Sequence, residues 1–288
     1  MSSPPPEPAR WPPDLARILA AARERSGVDF GGYRPSILQR RVQSRMVTVS
    51  ATSYRDYLRR LREQPDEVDL LLQRLTIKVS RFFRNAETYC QLRDVLRDWR
   101  TAVHPEPLRI WSAGCGHGEE PYSLAMLLAD LPGPAPAGSI CATDVDEVAL
   151  ETARIRCYPP EAVEEMPPDL LSRYLEGSRD RRRPHRVAEA IASVVSFLPH
   201  DLTSATRPPK EGGFHLICCR NVLIYLTPAV QRRVVELLLS SLVPGGHLCL
   251  GRAELPPSSL LSRLETVDRA AHIYRLERAR APAPRGTA

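Results

Sequence analysis

Apolar positions follow two different rhythms along this chain. From Asp14, a residue suited to capping a helix N-terminus, Leu15, Ile18 and Leu19 make a stripe at i, i+3, i+4. A second helix is predicted to start at Pro35, since proline suits a first helical position, and to run through "SILQRRVQSRM". Two more helices are expected in "YRDYLRRLRE" and "PDEVDLLLQRLT". Beyond them the rhythm changes to short apolar runs, "PLRIWSAG", "SICATD", "VVSFLP", "FHLICC" and "GHLCLG", separated by helical stretches. That alternation predicts a parallel sheet with crossover helices, among them residues 119–131 and 228–242. The closing "ETVDRAAHIYRLER" reads as two edge strands and a turn. No internal repeat interrupts the scheme.

The expected organisation is a disordered proline-rich tail over 1–13, a helical domain over 14–78, a linker over 79–104, an α/β domain over 105–277 and a second tail over 278–288. Charge sharpens this division. Residues 14–90 hold 15 Lys and Arg against 9 Asp and Glu, which accounts for the whole net charge of +6. The first third therefore carries the basic surface, which favours an acidic partner. Seven cysteines, scattered and without a C-x-x-C pair, exclude a disulfide framework or a zinc site and point to reduced thiols. The N-terminus lacks the apolar core of a secretory signal, and no apolar run reaches the roughly 20 residues of a membrane span. A cytoplasmic protein without direct membrane insertion, metal or nucleic-acid partner is expected; the helical domain shows neither a helix-turn-helix nor an aromatic stacking platform.

The chemistry is concentrated in "RIWSAGCGHGEEPYSLAM", residues 109–126. A strand ends in Gly114-x-Gly116-x-Gly118 and runs directly into a helix, so the glycines permit a tight turn and a close approach to a ligand. The spacing is not the G-x-G-x-x-G of dinucleotide binders, and no Gly-Lys-Ser/Thr follows as in a P-loop. Glu119 and Glu120 stand where a phosphate would otherwise meet the helix N-terminus, and carboxylates there favour a cation. S-adenosylmethionine fits, carrying a sulfonium and an ammonium and no phosphate. Glu119 is read as complementing the helix dipole and Glu120 as facing the ligand. Asp144, at the end of the next strand, is placed to accept from ribose hydroxyls.

Two basic features could serve a partner. Residues 177–190 carry five arginines within 179–186, either a solvated loop or a docking insert. On the second helix, Arg40, Arg41 and Arg45 accompany the apolar stripe of Leu38, Val42 and Met46. Arg41 and Arg45 are like-charged i, i+4 neighbours with no acid between Pro35 and Met46, a cost that an acidic receptor helix would offset.

"IWSAGCGHGEEPYSLAM", "ATDVD", "SRFFRN" and "ICCRNVLIYL" together resemble the CheR family of chemotaxis-receptor glutamate O-methyltransferases, over about residues 15–277. The FFR and CRNVLIY elements lie outside the generic cofactor fold and are the specific part of the match. The resemblance implies an α/β protein: a Rossmann-like S-adenosylmethionine-dependent methyltransferase domain, preceded by a small all-helical domain and bearing a small inserted β-subdomain at about 177–195. Carried over by position, it implies that Lys78, Ser80 and Arg84 face the cofactor from the linker side. Glu120 would hold its methionine end and Asp144 its ribose, while Asp201 and Leu202 would frame its adenine. Gly114, Gly116 and Gly118 would form the loop, with Arg220 and Asn221 after the fourth strand and Tyr225 near the transferring methyl. The chain departs from the family at Lys78, usually an asparagine, and at His117.

The reaction so implied converts receptor glutamates to methyl esters with S-adenosyl-L-homocysteine as the other product. A glutamate with an ordinary pKa of about 4.3 is already the nucleophilic anion at neutral pH, so no general base is required. Alignment of carboxylate, methyl and sulfur then supplies the catalysis, with Arg84 and Tyr225 as catalytic candidates near the acceptor. The expected partner is the cytoplasmic helical domain of chemoreceptors, met by a monomer, with Arg40, Arg41 and Arg45 as the docking residues. The alternatives are a cofactor-binding regulatory module without turnover, an RNA or small-molecule methyltransferase, and a nucleotide-dependent dehydrogenase.

Overall fold

A computed structural model describes residues 11–76, 80–101, 107–133, 138–177 and 183–277. Most of the expected N-terminal tail, the whole C-terminal tail, Lys78 and residues 178–182 of the arginine-rich insert lie outside the described residues. The chain divides into two compact units: Met1–Val79 with Tyr225–Val230, and Ser80–Ile224 with Gln231–Ala288.

The first unit contains helices α1 (Pro13–Ser26), α2 (Pro35–Thr48), α3 (Tyr54–Glu63) and α4 (Asp66–Leu75). Helix α1 begins one residue before its expected cap. Pro12 holds the N-cap position, and Asp14 sits in the first turn, where it accepts from Arg17 at 3.3 Å. Proline tolerates that start because its missing N–H would be unsatisfied there anyway. Helix α3 has a side-chain cap, with the Ser53 hydroxyl accepting from the Asp56 amide at 3.1 Å. The apolar stripes meet in a core of Leu15, Ile18, Leu38, Val42, Tyr57 and Leu71.

The second helix does not present its three arginines to solvent as expected. Arg40 is exposed, whereas Arg41 is buried at 4% and half-buried Arg45 faces its own unit. Arg45 forms a bidentate pair with Glu67, at 2.7 and 2.6 Å, and Glu67 also accepts from the Tyr57 hydroxyl at 2.8 Å. The compensating acid comes from α4, 22 residues along the chain, which helical spacing within α2 does not reveal. Arg41 donates to the Leu75 carbonyl and stacks over Tyr225, 4.6 Å from the ring centroid. Segment Tyr225–Val230 joins this unit through backbone bonds: Arg34 N–H donates to Tyr225 O at 2.8 Å and Thr227 N–H to Gly32 O at 3.0 Å.

The second unit opens with α5 (Ala86–Thr101), in the stretch read as a linker. Its Tyr89, Leu92, Val95 and Leu96 are buried in the core of this unit. Then follow β1 (Leu108–Ala113), α6 (Glu119–Ala129), β2 (Gly138–Asp144) and α7 (Glu147–Ile155). Next come β3 (Cys157–Tyr158), α8 (Pro168–Tyr174), β4 (Leu175–Glu176), β5 (His185–Val187), α9 (Glu189–Ala192) and β6 (Val195–Pro199). The chain continues through β7 (Phe214–Cys219), α10 (Pro228–Ser240), β8 (Leu242–Leu250), β9 (Leu264–Asp268) and β10 (Ile273–Leu276). One seven-stranded sheet has the order β6-β2-β1-β7-β8-β10-β9; β6 to β8 are parallel, and β10 pairs antiparallel with β8 and β9. Of the two closing strands expected at an edge, β9 occupies one, while β10 lies inside the sheet.

The small sheet β3-β5-β4 is antiparallel and inserted in the crossover from β2 to β6. Strand β7 is buried along its whole length, as a central parallel strand covered on both faces must be. Trp111 of β1 is fully buried and keeps its indole N–H satisfied by the Thr143 hydroxyl at 2.9 Å. From β1 the chain builds outward on one side through β2 and β6, then returns to the other side with β7. The strand order thus reverses between β1 and β7, the position where open α/β sheets bind ligands beyond their strand C-termini.

Candidate active site

The loop after β1 meets this switch point with three left-handed glycines, Gly114 (φ 80°), Gly116 (φ 55°) and Gly118 (φ 97°). Two of them also lack room for a side chain. A Cβ on Gly114 would stand 2.4 Å from Val222 Cγ2, and one on Gly118 would stand 2.8 Å from Ala153 Cβ and 2.9 Å from the Tyr158 hydroxyl. The loop is bound to β2 by backbone donors: Gly114 and Cys115 donate to Thr143 O at 2.8 and 2.9 Å, and Gly116 donates to Asp144 Oδ2 at 2.8 Å. Asp144 therefore shapes the loop, and its Oδ1 accepts from the Asp146 amide at 3.0 Å. His117 contributes its carbonyl to Tyr158, whose hydroxyl donates at 2.7 Å.

The two glutamates at the start of α6 part company. Glu119 is 4% exposed, and its Oε2 finds no partner. Burial pushes its carboxyl up to about 7. Glu120 is half-buried, accepting from the Ser112 hydroxyl at 2.8 Å and lying 3.4 Å from Arg220 Nη1. Burial raises the Glu120 carboxyl, and Arg220 and Ser112 draw it part of the way back.

Arg220 follows β7 directly and is buried at 7%. Its Nη2 donates to the Arg84 carbonyl at 2.7 Å and to Asn85 Oδ1 at 3.1 Å, and its plane lies 5.3 Å from the Tyr89 ring centroid. Its Nε is buried without a partner. One guanidinium thus joins Glu120 of α6 to the turn before α5. That turn is bound from below as well, Phe83 N–H donating to the Ser123 hydroxyl at 3.0 Å and Phe82 N–H to Ala162 O at 2.8 Å. Half-buried Arg84 sits between two left-handed residues, Phe83 (φ 54°) and Asn85 (φ 66°); for the bulky Phe83 that backbone is imposed by its surroundings.

Of the residues singled out from sequence, Arg84, Glu120 and Arg220 are brought into one network. Gly114, Gly116, Gly118 and Asp144 form a second, adjoining one through the loop. Asn221, left-handed at φ 61°, is held by Glu254, whose Oε2 accepts from its amide at 2.8 Å. The Asp201 carboxylate is taken by its own turn, accepting from Thr203 N at 2.8 Å, Thr203 Oγ1 at 2.7 Å and Ser204 Oγ at 2.9 Å; Leu202 beside it is buried. Ser80 is half-buried at the start of the FFR turn, and Tyr225 belongs to the helical unit.

Sequence reasoning missed Ser112, which bonds Glu120 eight residues on, and Tyr89, Ser123 and Glu254, which reach segments distant in the chain. The one available signal was Glu254, an acid four residues after an apolar strand.

These residues fit S-adenosylmethionine. The loop after β1 turns through three left-handed glycines at the C-terminal ends of the strands, where a ligand meets an open α/β sheet. The carboxylates of Glu120 and Asp144 stand beside it as anionic and hydrogen-bond-accepting groups for an ammonium and a ribose. Among the described residues no group of His, Cys, Asp and Glu could hold a metal ion, and no helix is long and apolar enough to cross a membrane.

Comparison with known proteins agrees with this geometry. Residues 78–269 match the family model of the CheR methyltransferase SAM-binding domain, and residues 13–76 match that of the CheR methyltransferase all-alpha domain. The chain is 32% identical to chemotaxis protein methyltransferase 2 of Pseudomonas aeruginosa, over 84% of this chain and 86% of that protein. It is 32% identical to the chemotaxis protein methyltransferase of Escherichia coli, over 83% of this chain and 82% of its relative. A 104.1 kDa protein of Rhodobacter capsulatus is 31% identical over 86% of this chain, which spans 26% of that longer protein. The chain belongs to the CheR family of S-adenosylmethionine-dependent methyltransferases.

Proposed function

We propose that this methyltransferase esterifies glutamate side chains of chemoreceptors, in the adaptation step of chemosensory signalling. The observation that carries the reading is the setting of Arg84. Its backbone is imposed by two left-handed neighbours, and its carbonyl is taken by buried Arg220, so the guanidinium starts from a fixed point beside the Glu120 network. A guanidinium on a fixed backbone is suited to hold a planar carboxylate. The names of the Pseudomonas aeruginosa and Escherichia coli relatives support a chemotaxis substrate.

The bound cofactor supplies an electrophilic methyl on a sulfonium. Glu120 and Asp144 bind and orient its cationic and ribose ends, and the glycine loop lets the backbone approach. Arg84 holds the acceptor carboxylate, which is anionic at neutral pH, so none of these residues needs to remove a proton. Tyr225 serves as a hydrogen-bonding group at the acceptor, and its ring is oriented by Arg41. Lys78, Ser80, Asp201, Leu202 and Asn221 complete the proposed cofactor contacts. The proposed partner is the cytoplasmic helical region of a receptor, approached by the exposed Arg40 of α2. Arg41 and Arg45 support that helix from within.

The test is incubation of the purified protein with methyl-labelled S-adenosylmethionine and receptor-containing membranes, with Arg84→Ala alongside. Base-labile label on receptor-sized bands, lost in the variant, is the expected result. Cofactor binding without label on any receptor would refute the glutamate-ester reading and favour a regulatory module.

A further inference from the structure

We propose that Glu254 is a positioning residue for methyl transfer: its carboxylate sets the backbone of the turn that carries Arg220 and Asn221. The inference rests on the reading of that turn as cofactor-facing. Glu254 is 3% exposed, and both of its carboxylate oxygens are spent on main-chain donors. Oε2 accepts from Asn221 N–H at 2.8 Å and Gly251 N–H at 2.7 Å, and Oε1 accepts from Ile224 N–H at 3.2 Å. Two of these donors belong to the turn after β7, the third to the end of β8. One side chain therefore ties the ends of β7 and β8 together, next to the switch point between β1 and β7.

The arrangement leaves little freedom. The Glu254 backbone is itself fixed, its N–H donating to Gly251 O at 2.9 Å and its carbonyl lying 2.7 Å from His272 Nδ1. The turn is too close to Gly251 for any side chain there, since a Cβ would stand 2.6 Å from Glu254 Oε2 and 2.8 Å from Asn221 N. Asn221 is left-handed at φ 61°, a conformation that asparagine adopts more readily than most side chains, and the bond from its N–H to Glu254 fixes it there. A carboxylate that accepts from backbone donors makes strong, charge-assisted bonds and imposes that geometry. Glu254 touches no reacting atom. It acts through Asn221, through Arg220 one residue earlier, and through Ile224.

The amide analogue is the discriminating change. Glu254→Gln keeps the shape but turns an NH2 toward N–H donors, so at least one bond becomes a repulsion. Glu254→Asp keeps the charge and is shorter by one methylene, too short to reach all three donors. Gly251→Ala presses on the same contact from the other side. Each variant is checked for folding by circular dichroism and thermal unfolding. Amide exchange at Asn221 and Ile224 is then read by NMR, binding of S-adenosylhomocysteine by calorimetry, and methyl transfer to receptor membranes by initial rate.

Misplacement by about 1 Å away from the chemistry costs about a hundredfold. For Glu254→Gln we therefore expect faster exchange at both amides, about tenfold weaker S-adenosylhomocysteine binding, and kcat lowered by about tenfold or more with receptor KM within about twofold. Glu254→Asp should fall between Gln and wild type. Loss of amide protection with unchanged binding and unchanged kcat per folded molecule would overturn the proposal, leaving Glu254 a purely structural residue. Unchanged protection would overturn it too. If Glu254→Gln fails to fold, Glu254→Asp and Gly251→Ala decide by the same readings. A wild-type protein that binds S-adenosylhomocysteine but labels no receptor refutes the substrate assignment instead, and the exchange and binding arms still judge Glu254.

Discussion

Arg220 and Glu120 form a buried ion pair, Nη1 to Oε2 at 3.4 Å, in which the arginine side chain is 3% exposed and the glutamate side chain 13%. The same guanidinium reaches the Arg84 carbonyl at 2.7 Å, so the charge balancing the Glu120 carboxylate also holds the turn before α5. Removing one member of a buried pair strands the other and costs about 3–5 kcal/mol. Arg220→Leu should therefore lose roughly that much in urea unfolding and abolish S-adenosylhomocysteine binding in calorimetry. Adding Glu120→Gln should restore part of the stability, because the stranded charge is gone, without restoring the binding. Equal stability in the single and double variants would refute the coupling.

Glu119 and His247 pull the pH dependence of stability in opposite directions. Burial holds the Glu119 carboxyl at about 7 in the folded chain, above its ordinary value of 4.5. Between those values the folded state binds more protons, so this group makes stability fall as pH rises from about 4.5 to 7. Glu119→Gln should then stabilise the protein at pH 8 by on the order of 2–3 kcal/mol, and near pH 4 hardly at all. Urea unfolding at the two pH values measures the difference.

His247 has the reverse sign. Burial lowers its pKa to about 4 from 6.5, and its Nδ1 accepts from the Trp99 indole at 3.0 Å, which the neutral ring allows. Between pH 6.5 and 4 the unfolded chain binds the extra proton, so this group makes stability fall on acidification. His247→Asn should flatten that loss and unmask the Glu119 slope, giving a variant whose urea midpoint falls between pH 5 and 7. A variant whose midpoint still rises over that range would contradict the assignment.

The glycine loop makes a steric prediction. Gly114→Ala places a Cβ 2.4 Å from Val222 Cγ2 and a side chain at φ 80°. Cofactor binding should be lost, and Val222→Ala in the same chain should recover part of it by removing the clash. The remaining deficit reflects the left-handed backbone, about 1–2 kcal/mol. Calorimetry on the single and double variants separates the two contributions.

In the helical unit, Arg45→Ala should destabilise by about 3 kcal/mol or more, because it leaves the buried Glu67 carboxylate with only the Tyr57 hydroxyl as its side-chain partner. Arg40→Ala, at an exposed position, should leave the unfolding midpoint in place and lower methylation of receptor membranes. Loss of stability in both variants would remove the distinction between a supporting and a docking arginine on α2.

Periodicity and local chemistry along the chain determined much of this protein. The step from helical stripes to short apolar runs located the strands, because a buried parallel strand must be apolar on both faces. Glycine spacing located the tight turn from β1 into α6, because backbone conformation at a helix start is a local property. Interactions across distant segments were decided only by the tertiary structure. Arg41 and Arg45 read as a basic face because helical spacing shows which residues are neighbours within α2, not that α4 supplies Glu67. Asp14 read as a cap, although proline can open a helix without one. Arg220 read as a cofactor ligand; the fold also uses it to join Glu120 and the Arg84 turn, 100 and 136 residues away in the chain. Glu254 drew no notice, since an acid after a strand gains meaning only when three main-chain donors converge on it. A side chain's type is written in the sequence; the partner that satisfies it, once buried away from water, is chosen by the fold.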